Sequence, residues 1–363
     1  MRLASLDLRD FRNLEEVHLR PGPRFNVFYG DNAAGKTNLL ESLYLLAFLK
    51  SFRTRRNRDL IRWEKEEARI GAVIEDQGLE SRVDMSVKPG ERIVALDGKR
   101  VRSPMAYYGL FTSVLFGPDD LDLTKGPPDV RRRYLDRILF VSDPSYWKIM
   151  RAYSEALQSR NKLLQAGNTD VRLFRSFEIQ LAEQGLAVLR RRQQIIGRVE
   201  TIVQDLLLAL AHWKDDGLSL AYVPSVKPVA WTTETYLALL DERRLADARR
   251  GFTSLGPHKD DIELRFANGK SFRNFASQGQ HRLVSILLKI TEMEVLHQQR
   301  GSYPVLLLDD VSSELDKRHY ELFKTYMGKS GGQVFLTTTD REVLPEGADI
   351  HYYRVADGRI EGD

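Results

Sequence analysis

The sequence predicts an α/β protein whose central sheet is interrupted by a long helical insertion. Three observations support this prediction. A strand, a glycine-rich loop and a helix follow one another near residue 30, and helical periodicity without proline fills residues 181–210. An apolar strand that ends in two aspartates then follows near residue 308. At 363 residues the chain has room for about two domains.

The composition excludes several classes of protein. Lys and Arg total 55 against 51 Asp and Glu, so the formal charge of +4 permits a polyanionic partner without requiring one. With 42% hydrophobic and 29% charged residues, the chain is not globally disordered. The absence of cysteine excludes a disulfide scaffold, a thiol nucleophile and a cysteine-ligated metal, and it fits a reducing compartment.

The chain shows no targeting or membrane signal. No apolar run approaches the 18 or so residues that a membrane span needs. Charged residues alternate with apolar ones from Arg2 onward, so the apolar core of a signal peptide is missing. We therefore expect a soluble, cytoplasmic protein without a membrane partner.

Residues 1–140 are predicted to form the first lobe of a head. A short strand at 24–29 leads into a glycine, and leucines at helical spacing then predict a helix over 37–49. Alternating segments at 70–87 and 92–96, with turns at Gly78 and Gly90, predict antiparallel strands. The lobe should thus combine a mixed sheet with an antiparallel β-layer.

Residues 141–222 are predicted to form a helical arm. Asp143 and Pro144 provide a helix start, and residues 166–170 contain both stop and cap signals. The second helix keeps one apolar stripe over a length of roughly 45–55 Å, which suggests an antiparallel arm that protrudes from the head. A helical subdomain that folds flat on the head is the alternative.

Residues 223–363 are predicted to return to the head as its second lobe. The run 305–308 is continuously apolar, as in a parallel strand that is buried on both faces. A helix over 317–327 and a strand at 334–336 would complete a βαβ unit.

A complete phosphate-loop pattern, G-x-x-x-x-G-K-[ST], follows the first of these head strands. Its residues are Gly30, Asp31, Asn32, Ala33, Ala34, Gly35, Lys36 and Thr37. The glycines let backbone N–H groups converge on phosphate oxygens, the lysine reaches the β- and γ-phosphates, and the threonine ligates Mg²⁺. The following helix adds its positive N-terminal end. We predict a nucleotide-phosphate site here.

The acidic pair Asp309-Asp310 is the candidate partner of this loop. Asp309, together with Thr37, would hold Mg²⁺, and Asp310 would polarise the attacking water. We therefore predict Lys36 and Asp310 as catalytic residues. An apolar strand that ends in two aspartates is a weak signal alone, because strands often end in turn-forming Asp, but it gains weight beside a phosphate loop.

Two further segments resemble motifs of ABC-type ATPases. The run Val311-Ser312-Ser313-Glu314-Leu315-Asp316 resembles the D-loop that follows the Walker B strand. Ser277-Gln278-Gly279-Gln280, just before an amphipathic helix, resembles the signature motif. Alone, these small residues could be only a helix N-cap. The order of the motifs around a helical insertion is that of the ABC-type heads in SMC-like DNA-repair proteins.

Finer sequence blocks resemble the RecF family of bacterial recombination mediators over essentially the whole chain. These blocks are Phe11-Arg12-Asn13, Phe116-Gly117-Pro118-Asp119-Asp120-Leu121, Arg131-Arg132-Arg133-Tyr134-Leu135-Asp136, Gly256-Pro257-His258-Lys259-Asp260-Asp261 and Ala276-Ser277-Gln278-Gly279-Gln280.

The resemblance implies an ATP-dependent DNA-binding protein that acts at single-strand gaps and stalled forks, and that helps RecR and RecO to load RecA. It implies an ATP-driven homodimer on duplex or gapped DNA, in which the signature loop of one subunit contacts the nucleotide bound by the other. The additional nucleotide contacts that it implies are Arg12, Asn13, Ser277, Gly279, Gln280 and Asp316.

Two departures from the wider ABC pattern affect the expected chemistry. Asp310 stands where many ABC ATPases have Glu, one methylene longer, so we expect slow hydrolysis. Residues 337–340 contain no histidine and take the position of the switch histidine, so we expect this segment to sense the γ-phosphate.

Clustered arginines are the candidate DNA contacts. Arg53, Arg55, Arg56 and Arg58 crowd together after the phosphate-loop helix, and residues 190–192 form a second group on the expected exposed side of the arm. Such side chains bind phosphates without reading sequence, although a solvated surface is the alternative. Duplex is the favoured ligand because no aromatic platform for single strands is evident. We assign no chemical role to His258.

Three competing classes are disfavoured. A transport-type ABC subunit would usually carry L-S-G-G-Q and a switch histidine, and would lack the helical arm, so all three features of this sequence argue against it. A nucleotide-binding adaptor without hydrolysis is disfavoured because both Walker elements look intact. A P-loop kinase is disfavoured by the D-loop and signature segments.

Overall fold

The computed structural model of the chain describes residues 1–103, 106–210, 217–227, 230–310, 326, 328, 331–339, 341 and 349–362. They form two compact units. The first combines Met1–Asp120 with Ile286–Asp363, and the second comprises Leu121–Ser285. The second unit is thus inserted into the sequence of the first.

The limits of these units differ from the predicted segment limits. The boundaries that we expected after residues 140 and 222 both fall inside the second unit. The first would divide the helix Pro128–Ser142, and the second would divide the strand Leu218–Val223. The division into two head lobes and an arm stays a prediction.

An antiparallel sheet forms one layer of the first unit. Its strands, in chain order, are β1 (Arg2–Phe11), β2 (Leu14–Leu19), β4 (Ala68–Asp76), β5 (Leu79–Val87), β6 (Arg92–Leu96) and β7 (Lys99–Arg100). They pair in the order β2-β1-β4-β5-β6-β7. Every second side chain of β4 from Ala68 to Ile74 is buried, as expected where one face packs on the core. The predicted antiparallel strands are confirmed.

The second sheet of this unit is mainly parallel. Its strands are β3 (Phe25–Tyr29), β8 (Ser113–Phe116), β11 (Val305–Leu308), β12 (Val334–Thr338), β13 (Ile350–Ala356) and β14 (Arg359–Gly362). They pair in the order β14-β13-β3-β12-β11-β8, with only β14 antiparallel to its neighbour. All residues of β11 and β12 are buried, which explains the apolar run that predicted a central strand.

The order of this sheet places the functional loops. Strands β3 and β11 lead into the glycine-rich loop and the acidic pair, and β12 lies between them. Since parallel strands end at the same edge, their following residues meet there, which is where α/β sheets bind ligands. Helix α1 (Lys36–Phe48) follows β3 and is buried along most of its length. The helix predicted at 317–327 lies mostly outside the described residues.

The second unit is mainly helical. Its elements are α2 (Asp122–Lys125), α3 (Pro128–Ser142), α4 (Pro144–Gln165), α5 (Val171–Leu210), β9 (Leu218–Val223), α6 (Thr233–Arg250), β10 (Asp261–Phe266) and α7 (Phe272–Phe275). Strands β9 and β10 form an antiparallel pair. Helix α8 (Gln278–Arg300) begins in this unit and ends in the first.

The long helical run predicted in the middle of the chain is confirmed. Helix α4 starts at Pro144, and the Asp143 carboxylate accepts a hydrogen bond from the Ser145 N–H at its N-cap. Helix α5 has 40 residues, which corresponds to about 60 Å. It packs along α4 after a turn in which the Asp170 carboxylate accepts from the Arg172 N–H.

One expectation about this region is wrong. Residues 190–192 do not all lie on an exposed side, because Arg192 is buried and makes two hydrogen bonds of 2.9 Å to the Asp136 carboxylate. Its Nη1 atom donates to the Pro257 carbonyl. Arg190 is exposed, and Arg191 forms an ion pair with Asp143. The face of α5 that carries Arg192 is turned toward α3, so Arg192 is not available to DNA.

A second buried network joins three helices of this unit. The Arg160 guanidinium donates to Glu178 at 3.0 Å and to Asp247 at 2.8 Å, and all three side chains are fully buried. Arg244 adds a further hydrogen bond to Glu178. These pairs link α4, α5 and α6 by charge as well as by apolar packing.

No helix in the described part of the chain is both long enough and apolar enough to cross a membrane.

Candidate functional site

The phosphate loop connects β3 to α1 and depends on glycine at two points. Gly30 has φ of 148° and Gly35 has φ of 121°, which favour glycine. A Cβ on Gly30 would lie 2.2 Å from the Val355 carbonyl oxygen, and one on Gly35 would lie 2.9 Å from Asn13 Oδ1. Side chains at these positions would therefore force neighbouring strands and loops apart.

The loop holds its lysine in a defined place. Lys36 Nζ donates to the Gly30 carbonyl at 2.5 Å and to the Asp31 carbonyl at 2.8 Å. Burial lowers the pKa of Lys36, while the carboxylates of Asp310, Asp31 and Asp309 act in the opposite direction. The lysine therefore meets the loop through neutral carbonyl oxygens, and it forms no ion pair with the described residues.

The remaining loop residues surround this lysine. Asp31, Asn32 and Ala33 are exposed at the tip of the loop. The Ala34 N–H donates to the Asp31 carbonyl, and the Ala34 carbonyl accepts from the Gly358 N–H. The tip is thus braced by backbone hydrogen bonds and leaves its outer side open to solvent.

The acidic pair lies against the threonine of the loop. Thr37 Oγ1 donates to Asp309 Oδ1 at 2.8 Å, although the two residues are far apart in sequence. Burial raises the pKa of Asp309, and the hydrogen bonds from Thr337 and Thr37 lower it. Asp310 follows with φ of 51°, and its N–H donates to Thr337 Oγ1 at 2.9 Å. The predicted approach of Thr37 and Asp309 is what the sheet order produces.

The donor set of this site fits a magnesium ion. A hydroxyl and a carboxylate are in contact beside a phosphate loop, and Mg²⁺ in such sites takes one or two protein oxygens and completes its shell with water and substrate phosphates. The described residues contain no group of three or more His, Cys, Asp or Glu placed to hold a metal alone.

Arg12 and Asn13 are placed behind the loop. The Arg12 guanidinium donates twice to the fully buried Glu41, at 2.9 and 2.8 Å. Asn13 Nδ2 donates to the carbonyls of Ala33 and Ala34, so Asn13 supports the loop from outside. Their predicted contact with nucleotide stays a prediction.

Glu41 and Asn38, both on α1, are the residues that the sequence reasoning missed. Glu41 accepts from Arg12 and Ser51 and lies 3.7 Å from Arg53, and Asn38 links Asn13 to Arg53. The available signal for Glu41 was a charged residue inside an otherwise apolar helical run.

The arginine group after α1 divides into two kinds of side chain. All four guanidinium side chains are exposed, but Arg53 donates to Asn38 and Arg58 donates to the Lys65 carbonyl. The side chains of Arg55 and Arg56 make no hydrogen bond or ion pair with the described residues. These two are the free cations of the group.

The signature segment lies in the second unit and begins α8. Ser277 Oγ accepts from the Gln280 N–H at 3.2 Å, and Gln280 Oε1 accepts from the Ser277 N–H at 2.7 Å. This reciprocal pair is a capping box. Ser277 and Gly279 are exposed, and a Cβ on Gly279 would meet open space. The helix-cap interpretation is therefore correct for the local structure, and the turn also presents its small residues to solvent.

Part of the predicted site lies outside the described residues, namely Asp316 with the rest of the predicted D-loop, and Asp340. Of the segment 337–340, Thr337 and Thr338 are buried at the end of β12.

A phosphate loop and an acidic pair that meet across β12, with a serine-glycine turn at the start of α8, define an ATPase head of the SMC type. The SMC head domain of Pyrococcus furiosus bound to the C-terminal domain of ScpA shares the fold, with a TM-score of 0.54 at 16% identity over 99% of this chain and 95% of that one. Residues 2–359 match the family described as RecF/RecN/SMC N terminal domain, and the chain belongs to the RecF family within it.

Full-length relatives agree with this assignment. The DNA replication and repair protein RecF of Anaeromyxobacter sp. (strain Fw109-5) is 39% identical over 99% of each chain. That of Myxococcus xanthus (strain DK1622) is 38% identical over 98% of this chain and 97% of its own. The structure of the recombination mediator protein RecF-ATP in the RecFOR pathway superposes with a TM-score of 0.90 at 29% identity, covering 99% and 97% of the two chains.

Proposed function

We propose that this chain is an ATP- and Mg²⁺-dependent switch that binds DNA during recombinational repair. The single observation that supports this most is the contact of Thr37 with Asp309 next to the Lys36 loop. Lys36 would meet the β- and γ-phosphates, and Thr37 and Asp309 would hold Mg²⁺, whose charge offsets that of the phosphate oxygens. The matched RecF-ATP structure supports ATP as the nucleotide.

Hydrolysis would be slow and would serve to reset the switch. Asp310 would orient the attacking water from the left-handed backbone position that follows β11. Its side chain is one methylene shorter than a glutamate, so it reaches less far toward the water. We therefore expect weak turnover, as in other nucleotide switches in which binding carries the signal and hydrolysis ends it.

ATP would join two copies of the chain through the exposed signature turn. Ser277 Oγ accepts a hydrogen bond within its capping box and so keeps its own proton free to donate. The N-terminus of α8 also carries the positive end of the helix dipole. Ser277, Gly279 and Gln280 would thus contact the γ-phosphate bound by the partner copy. ATP that binds only the dimer stabilises it by mass action.

The arginine group would bring this switch to DNA. Arg55 and Arg56 are exposed and make no hydrogen bond or ion pair with the described residues, so phosphate oxygens can pair with them at little cost. Such contacts hold duplex or gapped DNA without sequence preference. By family, we propose that the chain acts with RecR and RecO to load RecA at gaps and stalled forks, and that it does so in the cytoplasm.

The experiment that tests this function is fluorescence anisotropy of a labelled duplex titrated with Asp310→Asn protein. The substitution keeps the side-chain size but removes the carboxylate that would activate water, so the ATP state should persist. We expect binding at least tenfold tighter in Mg-ATP than in Mg-ADP. Equal binding in both nucleotides would contradict nucleotide gating.

The double variant Asp310→Asn/Ser277→Arg separates dimerisation from nucleotide binding. The large cation at the signature turn should abolish the ATP-driven dimer, measured by sedimentation velocity, and should remove the gain in DNA affinity. Binding of a fluorescent ATP analogue by the monomer should stay within about twofold. A normal dimer in this variant would refute the contact between copies.

A further inference from the structure

Thr337 occupies a central place in the nucleotide site of the first unit. It lies near the end of β12, which separates the strand before the phosphate loop from the strand before the acidic pair. Its register partner on β3 is Phe28, and Leu336 before it pairs with Leu308 of β11. The side chain is almost completely buried, at 1% exposure.

The Thr337 hydroxyl contacts both residues of the acidic pair. It accepts a hydrogen bond from the Asp310 N–H at 2.9 Å and donates to Asp309 Oδ1 at 2.8 Å. A hydroxyl has one proton, and the Leu308 carbonyl at 3.4 Å is the poorer acceptor for it. The proton therefore goes to the carboxylate.

These hydrogen bonds determine which oxygen of Asp309 stays free and which backbone conformation Asp310 adopts. Asp309 Oδ1 accepts from both Thr337 and Thr37, which leaves Oδ2 without a hydrogen bond from the described residues. Asp310 has a positive φ of 51°, which is costly for a residue with a side chain, and its N–H is held by the Thr337 oxygen. One hydroxyl thus sets the rotation of one carboxylate and the backbone direction of the other.

We propose that Thr337 is the positioning residue that aims Oδ2 of Asp309 at the cation site and holds Asp310 in its strained backbone conformation. This inference rests on the proposed ATPase function. It differs from the γ-phosphate sensing that the sequence suggested for residues 337–340, because the Thr337 hydroxyl uses its proton on Asp309 and its lone pair on the Asp310 N–H.

The test compares Thr337→Val with Thr337→Ser. Valine keeps the volume but removes the hydroxyl, whereas serine keeps the hydroxyl and loses a methyl. Affinity for a fluorescent ATP analogue is measured over a Mg²⁺ titration and in EDTA, together with kcat and KM for ATP. For the valine variant we expect an apparent Mg²⁺ affinity about 10–100-fold weaker and a kcat lowered by a similar factor, with nucleotide affinity in EDTA within about twofold. The serine variant should restore both.

Thr291→Val is the matched control. Thr291 is also buried in the first unit, on α8, and its hydroxyl has no hydrogen-bond partner in the described part of the chain. It should leave the Mg²⁺ response unchanged, and thermal denaturation of all variants reports any general loss of stability.

Two results would overturn the proposal: a valine variant with the wild-type Mg²⁺ response, or a serine variant as defective as valine. If either result is found while the wild-type protein still hydrolyses Mg-ATP, the proposed function stands and only the role of Thr337 is refuted. A wild-type protein that shows no Mg²⁺-dependent nucleotide binding would overturn the proposed function and this inference together.

Discussion

Buried charge is handled in opposite ways in the nucleotide site of the first unit and in the ion network of the second. In the second unit, Arg160 is surrounded by the carboxylates of Glu178 and Asp247. In the first, Lys36 donates to two carbonyl oxygens and Asp309 accepts from two hydroxyls. The second-unit network consists of ions that neutralise each other, whereas the first-unit site consists of ions held by neutral groups.

The difference shows how a fold can keep charge available for a ligand. Neutral partners fix the position of an ion without cancelling its charge, so a phosphate or a cation can still gain most of the electrostatic energy when it binds. In a network of paired ions the charges already compensate each other, so a ligand would gain little electrostatic energy by binding there. The network holds helices in register, and removing one member leaves its partners buried without compensation.

The largest effect is expected at the neutral-partner site. Lys36→Arg should retain some ATP binding but lose hydrolysis by about 100-fold or more, because a planar guanidinium cannot take the place of a compact ammonium among carbonyl and phosphate oxygens. Release of phosphate under saturating Mg-ATP measures the loss. The exposed Lys99→Arg on β7 serves as the control and should turn over normally. Normal turnover by the Lys36 variant would contradict the assignment of residues 30–37 as a phosphate loop.

A large loss of stability is expected in the paired-ion network. Arg160→Met leaves Asp247 buried without its cation and leaves Glu178 with Arg244 alone, so the free energy of unfolding should fall by about 3–5 kcal/mol. Urea denaturation of the full chain, followed by circular dichroism, measures it.

The matched control is Arg151→Met, which removes an exposed ion pair with Glu155 on the same helix. It should change the free energy of unfolding by less than about 0.5 kcal/mol. If Arg160→Met lowers the free energy of unfolding no more than the control does, the network does not stabilise the helix packing. The contrast between this network and the nucleotide site would then be wrong.

The smallest effect concerns the pH dependence of the second unit. His258 Nδ1 lies 2.6 Å from the Tyr153 hydroxyl and Nε2 lies 2.9 Å from the Thr253 carbonyl, which suits a neutral ring with its proton on Nε2. Burial lowers the pKa of His258 from 6.5 to about 4. The unfolded chain therefore binds a proton more readily between these values, so stability is full above pH 6.5 and falls as the pH drops toward 4.

Replacing this ring should flatten that part of the stability profile. His258→Gln should reduce the loss of unfolding free energy between pH 7 and pH 4 by on the order of 2 kcal/mol relative to the wild-type protein. Urea denaturation at a series of pH values measures the difference. His18→Gln replaces an exposed histidine on β2 and should leave the acid-side decline intact. Parallel profiles for the wild-type and His258 variant proteins would show that another group is responsible.

Much of the fold could be predicted because its signals are local. Continuous apolar residues predicted β11, helical spacing predicted α4 and α5, and the cap at Asp143 gave the start of α4 to the residue. The wrong prediction for Arg192 has the same origin as these correct ones, because all of them rest on local spacing along the chain. Local spacing places a residue on a face of a helix, but it does not say which other helix covers that face.

The sequence by itself determined the chemistry available to this protein: a phosphate loop, an acidic pair after a buried strand, and a small-residue turn before a helix, in the order of an SMC-type head. The two motifs also predicted the approach of Thr37 to Asp309. Only the tertiary structure decided the contacts of Arg12 with Glu41 and of Thr337 with both aspartates, which are set by strand order and helix packing. No local pattern encodes them, because the partners belong to different elements that only folding brings together.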